Sequence, residues 1–211
     1  MLALLHTSSA HVPVFEALRD EDHPGLRLRH LVREDLLARA REEGPEAVAP
    51  AVAGLLARAV DEGAGAVLCT CSTIGGVAEA CAGELGVPVL RVDRPMAAEA
   101  ATAARRIVVV ATLRSTLDPT LALIREEAKG RDIGLRALLV EGAWALLEGG
   151  DREGYLDAVA AAVDRVGDAD VIVLAQASTA DAASRTTTAV PLLSSPRPGL
   201  RAAAASMSSG S

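Results

Sequence analysis

Short apolar runs alternate with longer amphipathic segments along the whole chain. The first run, Leu2–His6, leads into a Thr-Ser-Ser turn and a helical pattern, and the later runs repeat this arrangement. Apolar runs of this length between turn residues are typical of buried strands, and spacings of three and four residues, as in 45–62, are typical of helices. The predicted strands are Leu2–His6, 26–32, 66–70, 87–92, 105–111, 135–140, Val171–Leu174 and 190–193. After the strand 105–111, a helix is expected to begin near Asp118 and Pro119. Strands that alternate with helices predict an α/β fold with parallel sheets.

The stretch GAGAVLCTCSTIGGV (63–77) places a cysteine between a predicted strand and a predicted helix. It predicts a buried strand, a tight turn and a helix start, with Cys71 between strand and helix. A thiol there faces backbone N–H groups and the positive end of a helix, which favours its thiolate form. In open α/β sheets, ligands bind at this carboxyl edge. The alternative is a small buried cysteine that only fills a turn.

The two halves of the chain resemble each other. Two pairs of matching positions are separated by 105 residues, and the Val-Pro segments 87–90 and 190–193 by 103. The pairs are Thr7 with Thr112 and Cys71 with Gln176. The alternative is that the strands of any α/β chain recur at similar offsets by chance. If the repeat is genuine, it predicts two pseudosymmetric lobes, 1–96 and 97–196. We expect each to be a mainly parallel four-stranded sheet flanked by helices, with the active site in the cleft between them. The tail 197–211 is expected either to pack on the first lobe or to be disordered.

Composition narrows the range of partners and cofactors. The net charge is −7 and only three side chains are aromatic, so the basic footprint and stacking surfaces of nucleic-acid binders are missing. No apolar run approaches a membrane span. Three cysteines form a poor disulfide framework, which favours a cytoplasmic protein. The single lysine, Lys129, lies in a polar stretch, so chemistry that needs a pocket lysine is not expected. We predict no cofactor and no metal.

Hydroxyl-rich turns follow four of the predicted strands. Each turn alone is typical of a plain helix cap, but four at equivalent places in a repeat favour a site for a small carboxylate. The candidate substrate-binding residues are Thr7, Ser8, Ser72, Thr73, Thr112, Ser115, Thr116, Ala177 and Ser178.

The candidate catalytic residues are Cys71, Gln176 and His6. Cys71 would act as base or nucleophile beside a bound carboxylate, and His6, at a strand end, as an acid/base or a carboxylate partner. Cys69 and Cys71 could instead form a metal or redox pair, although no other ligand cluster supports that alternative. Asp93, near another strand end, is a weaker candidate for orienting a substrate amine.

Three motifs resemble the aspartate/glutamate/hydantoin racemase superfamily, which includes maleate isomerases and arylmalonate decarboxylases. They are GAVLCTCST (65–73), VATLRST (110–116) and VIVLAQ (171–176). The resemblance implies two pseudosymmetric α/β lobes, each with a catalytic cysteine, and cofactor-independent deprotonation of the carbon next to a carboxylate. This chain departs from the pattern because Gln176 stands where the second cysteine is expected.

The departure restricts the reaction, since glutamine cannot give or take a proton at neutral pH. We therefore expect a racemase- or isomerase-like enzyme that acts on a small amino acid or carboxylate through one thiol. The alternatives are a non-catalytic carboxylate-binding protein and a single-cysteine decarboxylase or hydrolase on the same fold. Whether the chain forms a homodimer stays open.

Overall fold

The computed structural model describes residues 1–208. Its eight strands are β1 (Leu2–His6), β2 (Leu28–Val32), β3 (Ala66–Cys69), β4 (Val89–Arg91), β5 (Arg106–Ala111), β6 (Gly134–Leu139), β7 (Val171–Leu174) and β8 (Leu192–Ser194). Its helices are α1 (His11–Asp22), α2 (Glu34–Glu43), α3 (Ala49–Asp61), α4 (Ser72–Ala80), α5 (Ala82–Leu85), α6 (Arg94–Ala103), α7 (Arg114–Ala128), α8 (Ala143–Glu148), α9 (Arg152–Asp164) and α10 (Pro196–Ser208). Two 3-10 helices, Pro45–Val48 and Ala177–Arg185, complete the described elements.

The first compact unit comprises Met1–Arg94 together with α10. Its sheet has the order β2-β1-β3-β4, and every pairing is parallel. Alternate side chains of β1 and β3 pack on opposite faces, as the twofold side-chain period of a strand requires. One face packs on α2, α3 and α4, through residues such as Leu5, Val52 and Ile74. The other packs on Phe15 of α1 and Leu200 of α10.

The second compact unit comprises Pro95–Ser195. Its sheet has the order β6-β5-β7-β8, again with only parallel pairings. On one face the strands pack against α6 and α7, where Met96 and Ile124 are fully buried. On the other face they pack against α9, where Tyr155 and Val159 are fully buried.

The register of the strands confirms the internal repeat. Leu5 pairs with Cys69, and Val110 pairs with Leu174, so both members are shifted by 105 residues (110 − 5 and 174 − 69). On the next pair of strands Cys69 aligns with Arg91, and Leu174 with Ser194. The chain therefore builds the same four-stranded parallel sheet twice, with Cys71 and Gln176 two residues beyond equivalent strand ends.

Two boundaries differ from the sequence prediction because of proline. The pattern suggested a helix that starts near Asp118, but α7 begins at Arg114 and contains Pro119 in its second turn. Pro119 has no N–H, so it cannot make the backbone hydrogen bond that other residues make at this position of the helix. The predicted strand 190–193 is shifted to Leu192–Ser194, since Pro191 has no N–H and contributes only its carbonyl, to the N–H of Ile172.

Helix α10 belongs to the first unit although it follows the second in the chain. Leu200 and Ala203 are buried against β1 and β3, and Arg197 donates to Asp22 of α1. The end of the predicted tail, 209–211, lies outside the described residues. Within 1–208, no helix combines the length and the apolar character that a bilayer crossing requires.

Candidate functional site

Cys71 lies at the carboxyl edge of the first sheet. β3 ends at Cys69, two extended residues follow, and Cys71 is the N-cap of α4 with φ −112° and ψ 116°. The side chain is 7% exposed, so it contacts the surface at the edge of a buried cluster. The positive end of the α4 dipole is therefore beside the sulfur, where it favours negative charge.

Cys69 has a different environment from Cys71. It is fully buried, and its thiol donates to the carbonyl oxygen of Cys71 at 3.6 Å. Burial, with the nearby Cys71 sulfur as the next cause, raises the pKa of the Cys69 thiol. Cys69 is thus a neutral donor that supports the turn, and within residues 1–208 no three His, Cys, Asp or Glu side chains converge as metal ligands.

His6 lies in a row of buried polar side chains. Its Nδ1 is 2.8 Å from Oγ1 of Thr70, and its Nε2 is 2.8 Å from Nδ1 of His30. His30 continues the row, with its Nε2 2.8 Å from Oε1 of Glu16. The Thr70 hydroxyl is also 3.1 Å from the Leu5 carbonyl oxygen, so the row reaches the backbone of β1.

The row leaves His6 with no nitrogen that faces a ligand. The ring is fully buried. Burial, followed by the nearby His11 and His30, lowers the pKa of His6 to about 3. His6 is therefore neutral near pH 7. A direct acid/base role stays a prediction, and it would require one of the two ring hydrogen bonds to open.

Stability is expected to fall in mild acid because of His6 and His11. Burial lowers the pKa of His11 to about 4, so between pH 6.5 and about 4 the unfolded chain binds two protons that the folded chain does not. Stability then rises with pH across this window. Between about pH 7 and about pH 5 the two groups should change the free energy of unfolding by about 3–4 kcal/mol. Urea unfolding at both pH values measures this change.

His6→Gln provides the matched control for the acid effect. It removes one titrating ring, so roughly half of the pH-dependent change should disappear. An unfolding free energy that is equal at both pH values in the unaltered protein would contradict the assignment.

The other predicted binding residues of the first unit lie in two turns, one after β1 and one at the start of α4. Thr7 is buried and Ser8 half-buried after β1, while Ser72 and Thr73 are buried in the first turn of α4. The adjacent Ser9 is already engaged, since its N–H and hydroxyl both donate to Glu34 Oε1, at 3.0 and 2.9 Å. These bonds lower the pKa of the Glu34 carboxyl. The turn after β1 therefore holds a carboxylate of the chain itself.

A buried ion pair between Arg91 and Asp93 packs against α4. Arg91 donates through Nε and Nη2 to the two carboxylate oxygens of Asp93, at 2.7 and 2.9 Å, and both side chains are buried. Gly75 of α4 leaves room for this arginine, because a Cβ there would lie 3.0 Å from Cβ of Arg91. Since both oxygens of Asp93 are taken, the structure does not place it to orient a substrate amine. The sequence feature that could have indicated this ion pair is Arg91, an arginine in the otherwise apolar strand β4.

Gln176 occupies the equivalent edge of the second sheet. Its backbone is extended, with φ −122° and ψ 142°, and its side chain is half-buried. Its Oε1 accepts from the N–H of Thr112 at 2.6 Å and from the Thr112 hydroxyl at 2.9 Å. The structure thus joins two of the predicted residues by direct hydrogen bonds.

Tyr155 completes this edge, and the sequence analysis missed it. The ring is fully buried on α9, while its hydroxyl is 2.7 Å from Oγ of Ser178 and 3.4 Å from Oγ1 of Thr112. The available signal was weak: one of only three aromatic residues, on the apolar face of a helix. Of the remaining predictions, Ala177 and Thr116 are buried and Ser115 is half-buried, at the starts of the helices that follow β7 and β5.

The family model for Asp/Glu/hydantoin racemase matches residues 7–203 of the sequence. No curated protein matches the sequence.

Several solved structures share the fold. Glutamate racemase from Francisella tularensis in complex with D-glutamate superposes with a TM-score of 0.75 at 13% identity, covering 97% of this chain and 79% of that one. Allantoin racemase from Klebsiella pneumoniae gives 0.67 at 18% identity, covering 99% and 88%. Arylmalonate decarboxylase gives 0.61 at 19% identity, covering 100% and 93%.

Proposed function

The chain belongs to the Asp/Glu/hydantoin racemase family, and we propose that it is a cofactor-independent racemase- or isomerase-like enzyme acting on a small amino acid or carboxylate. Cys71 is the proposed base or nucleophile. The name of the family gives the reaction class, and the racemase and decarboxylase folds among the structural neighbours are consistent with it.

The observation that carries the proposal is the position of Cys71. Cys71 is the N-cap of α4 at the carboxyl edge of a parallel sheet, the edge at which open α/β folds bind ligands, and it is 7% exposed. Ser72 and Thr73 bring two hydroxyls into the same turn. A carboxylate held there would have its adjacent carbon close to the sulfur.

The proposed step is a proton transfer. The Cys71 thiolate takes the proton from the carbon next to the carboxylate, becoming a thiol, and the electron pair of the broken C–H bond delocalises into the carboxylate. Return of the proton from the same thiol regenerates substrate, and exchange of the thiol proton with solvent in between labels that carbon. Donation of a proton to the opposite face by a solvent water molecule gives the other enantiomer.

The test is solvent deuterium exchange. The protein is incubated in deuterated water with a panel of amino acids and dicarboxylic acids, and the C–H signals are followed by proton NMR. Loss of the signal of the carbon next to a carboxylate supports the proposal. Neither exchange nor isomerisation of any panel member would overturn it.

A specific observation favours a second candidate, a non-catalytic carboxylate-binding protein. At the position that matches Cys71 in the repeat, Gln176 carries an amide whose oxygen is fixed by Thr112 and which cannot transfer a proton at neutral pH. Saturable binding of a panel acid without exchange at any carbon distinguishes this candidate from the enzyme.

A further inference from the structure

The side-chain amide of Gln176 has only one possible orientation. A backbone N–H can only donate, so the atom 2.6 Å from the N–H of Thr112 must be the amide oxygen. The Thr112 hydroxyl occupies the same oxygen from a second direction. The NH₂ group therefore faces away from Thr112, and within residues 1–208 no acceptor pairs with it. Because Gln176 is half-buried, this NH₂ group is within reach of a ligand.

Tyr155 determines which way the neighbouring hydroxyls can point. Its single proton goes either to Ser178 at 2.7 Å or to Thr112 at 3.4 Å. In the first case the proton of Ser178 is free to point at a ligand. In the second case Ser178 donates to Tyr155, Tyr155 to Thr112, and Thr112 to Gln176. The shorter distance favours the first arrangement.

We infer that Tyr155 is a positioning residue, which holds the Ser178 hydroxyl as a donor beside the Gln176 amide, so that the two groups together bind one carboxylate of the substrate. The inference rests on the proposed function, since it assigns the recognition of that function's carboxylate at the edge of the second sheet. Tyr155 is itself fully buried and acts through Ser178.

The chemistry of the two donors selects the ligand group. An NH₂ group and a hydroxyl that receives a proton from a phenol both offer hydrogens, so they fit an acceptor with two oxygens. Burial is the main cause that raises the pKa of Tyr155, so the phenol stays neutral and keeps its proton near pH 7. A substrate ammonium group is disfavoured beside the Gln176 NH₂ group, because that group can only donate.

The first experiment follows the amide directly in the full chain. The ¹⁵N-labelled protein is titrated with malonate and, separately, with L-glutamate, and the side-chain NH₂ resonances are recorded. Gln176→Ala identifies the resonance pair by its disappearance. We expect this pair to shift saturably with at least one acid. If the pair does not move with either acid across the millimolar range, the inference is wrong.

The second experiment separates positioning from a structural role. Tyr155→Phe keeps the buried ring and removes only the hydroxyl, and we expect the dissociation constant of the acid to rise about 5–10-fold. Ser178→Ala, at a half-buried site, should weaken binding to a similar extent. If Tyr155 acts through Ser178, the double variant binds no more weakly than Ser178→Ala alone.

The outcomes of the two proposals are distinguishable. Unchanged affinity in Tyr155→Phe, or effects that add in the double variant, overturns the positioning role whatever the enzyme does. Should Tyr155→Phe fail to fold, the titration of the unaltered protein and of Ser178→Ala still decides whether the acid meets these donors. Deuterium exchange is scored separately, so acid binding at Gln176 without exchange removes the proposed reaction but not the inference.

Discussion

Cys71→Ala is expected to lower the rate of solvent deuterium exchange by about 10³-fold or more, the upper range for removing a general base. The thiol is the proposed acceptor of the proton, and alanine leaves no group at the N-cap of α4 that can replace it. The measurement is the exchange rate at the carbon next to the carboxylate, in the acid that the unaltered protein exchanges fastest.

Cys69→Ala is the matched control, since it removes a thiol two residues away, at the end of β3. Cys69 is fully buried and its pKa is raised by burial, so it contributes a donor to the Cys71 carbonyl and no base. Exchange should stay within a few-fold of the unaltered rate. Equal losses in both variants would contradict the assignment to Cys71 and indicate instead that the turn requires both side chains.

Alkylation gives a readout that does not depend on knowing the substrate. Cys81 is half-buried on the first unit and also free, so the experiment uses a Cys81→Ala background. In that background iodoacetamide should label Cys71, with Cys69 protected by burial, and a bound acid should slow the labelling. Labelling of Cys69 in preference to Cys71 would contradict the burial difference on which the proposal depends.

Much of the fold could be predicted because the apolar pattern and the repeat are local properties of the sequence. The 105-residue offset between Thr7 and Thr112 reappears in the pairing of β1 with β3 and of β5 with β7. What could not be predicted was how proline interrupts a pattern. Proline is common at helix starts, which placed the predicted start near Pro119, but Pro119 lies in the second turn of α7.

The site was less predictable, because hydrogen bonds between distant segments leave no pattern in one sequence. The turns after β5 and β7 predicted Thr112 and Gln176 as candidates, and the structure joins these two by hydrogen bonds at the edge of the second sheet. The row from Thr70 through His6 to His30 joins residues 64 and 24 positions apart. Tyr155 reaches Ser178 from another helix, and nothing in its own segment indicates that contact.

The buried pair of Arg91 and Asp93 connects the stability of the first unit to its candidate site. Arg91 ends β4 beside Cys69 and packs against Gly75 of α4, the helix that Cys71 caps. Two charges that are almost fully buried are tolerated only because they satisfy each other through two hydrogen bonds. Loss of either partner therefore leaves an uncompensated charge under the helix.

Asp93→Ala is accordingly expected to lower the free energy of unfolding by about 3–5 kcal/mol, as when one partner of a buried pair is removed. The measurement is urea unfolding at neutral pH. Asp35→Ala, which breaks the exposed pair with Arg33, is the matched control and should change stability by less than about 1 kcal/mol. Adding Arg91→Met to Asp93→Ala removes the unpaired charge and should recover most of the loss. If the single and double variants are equally unstable, the cost comes from lost packing around α4, and the arginine is not held there by its charge partner.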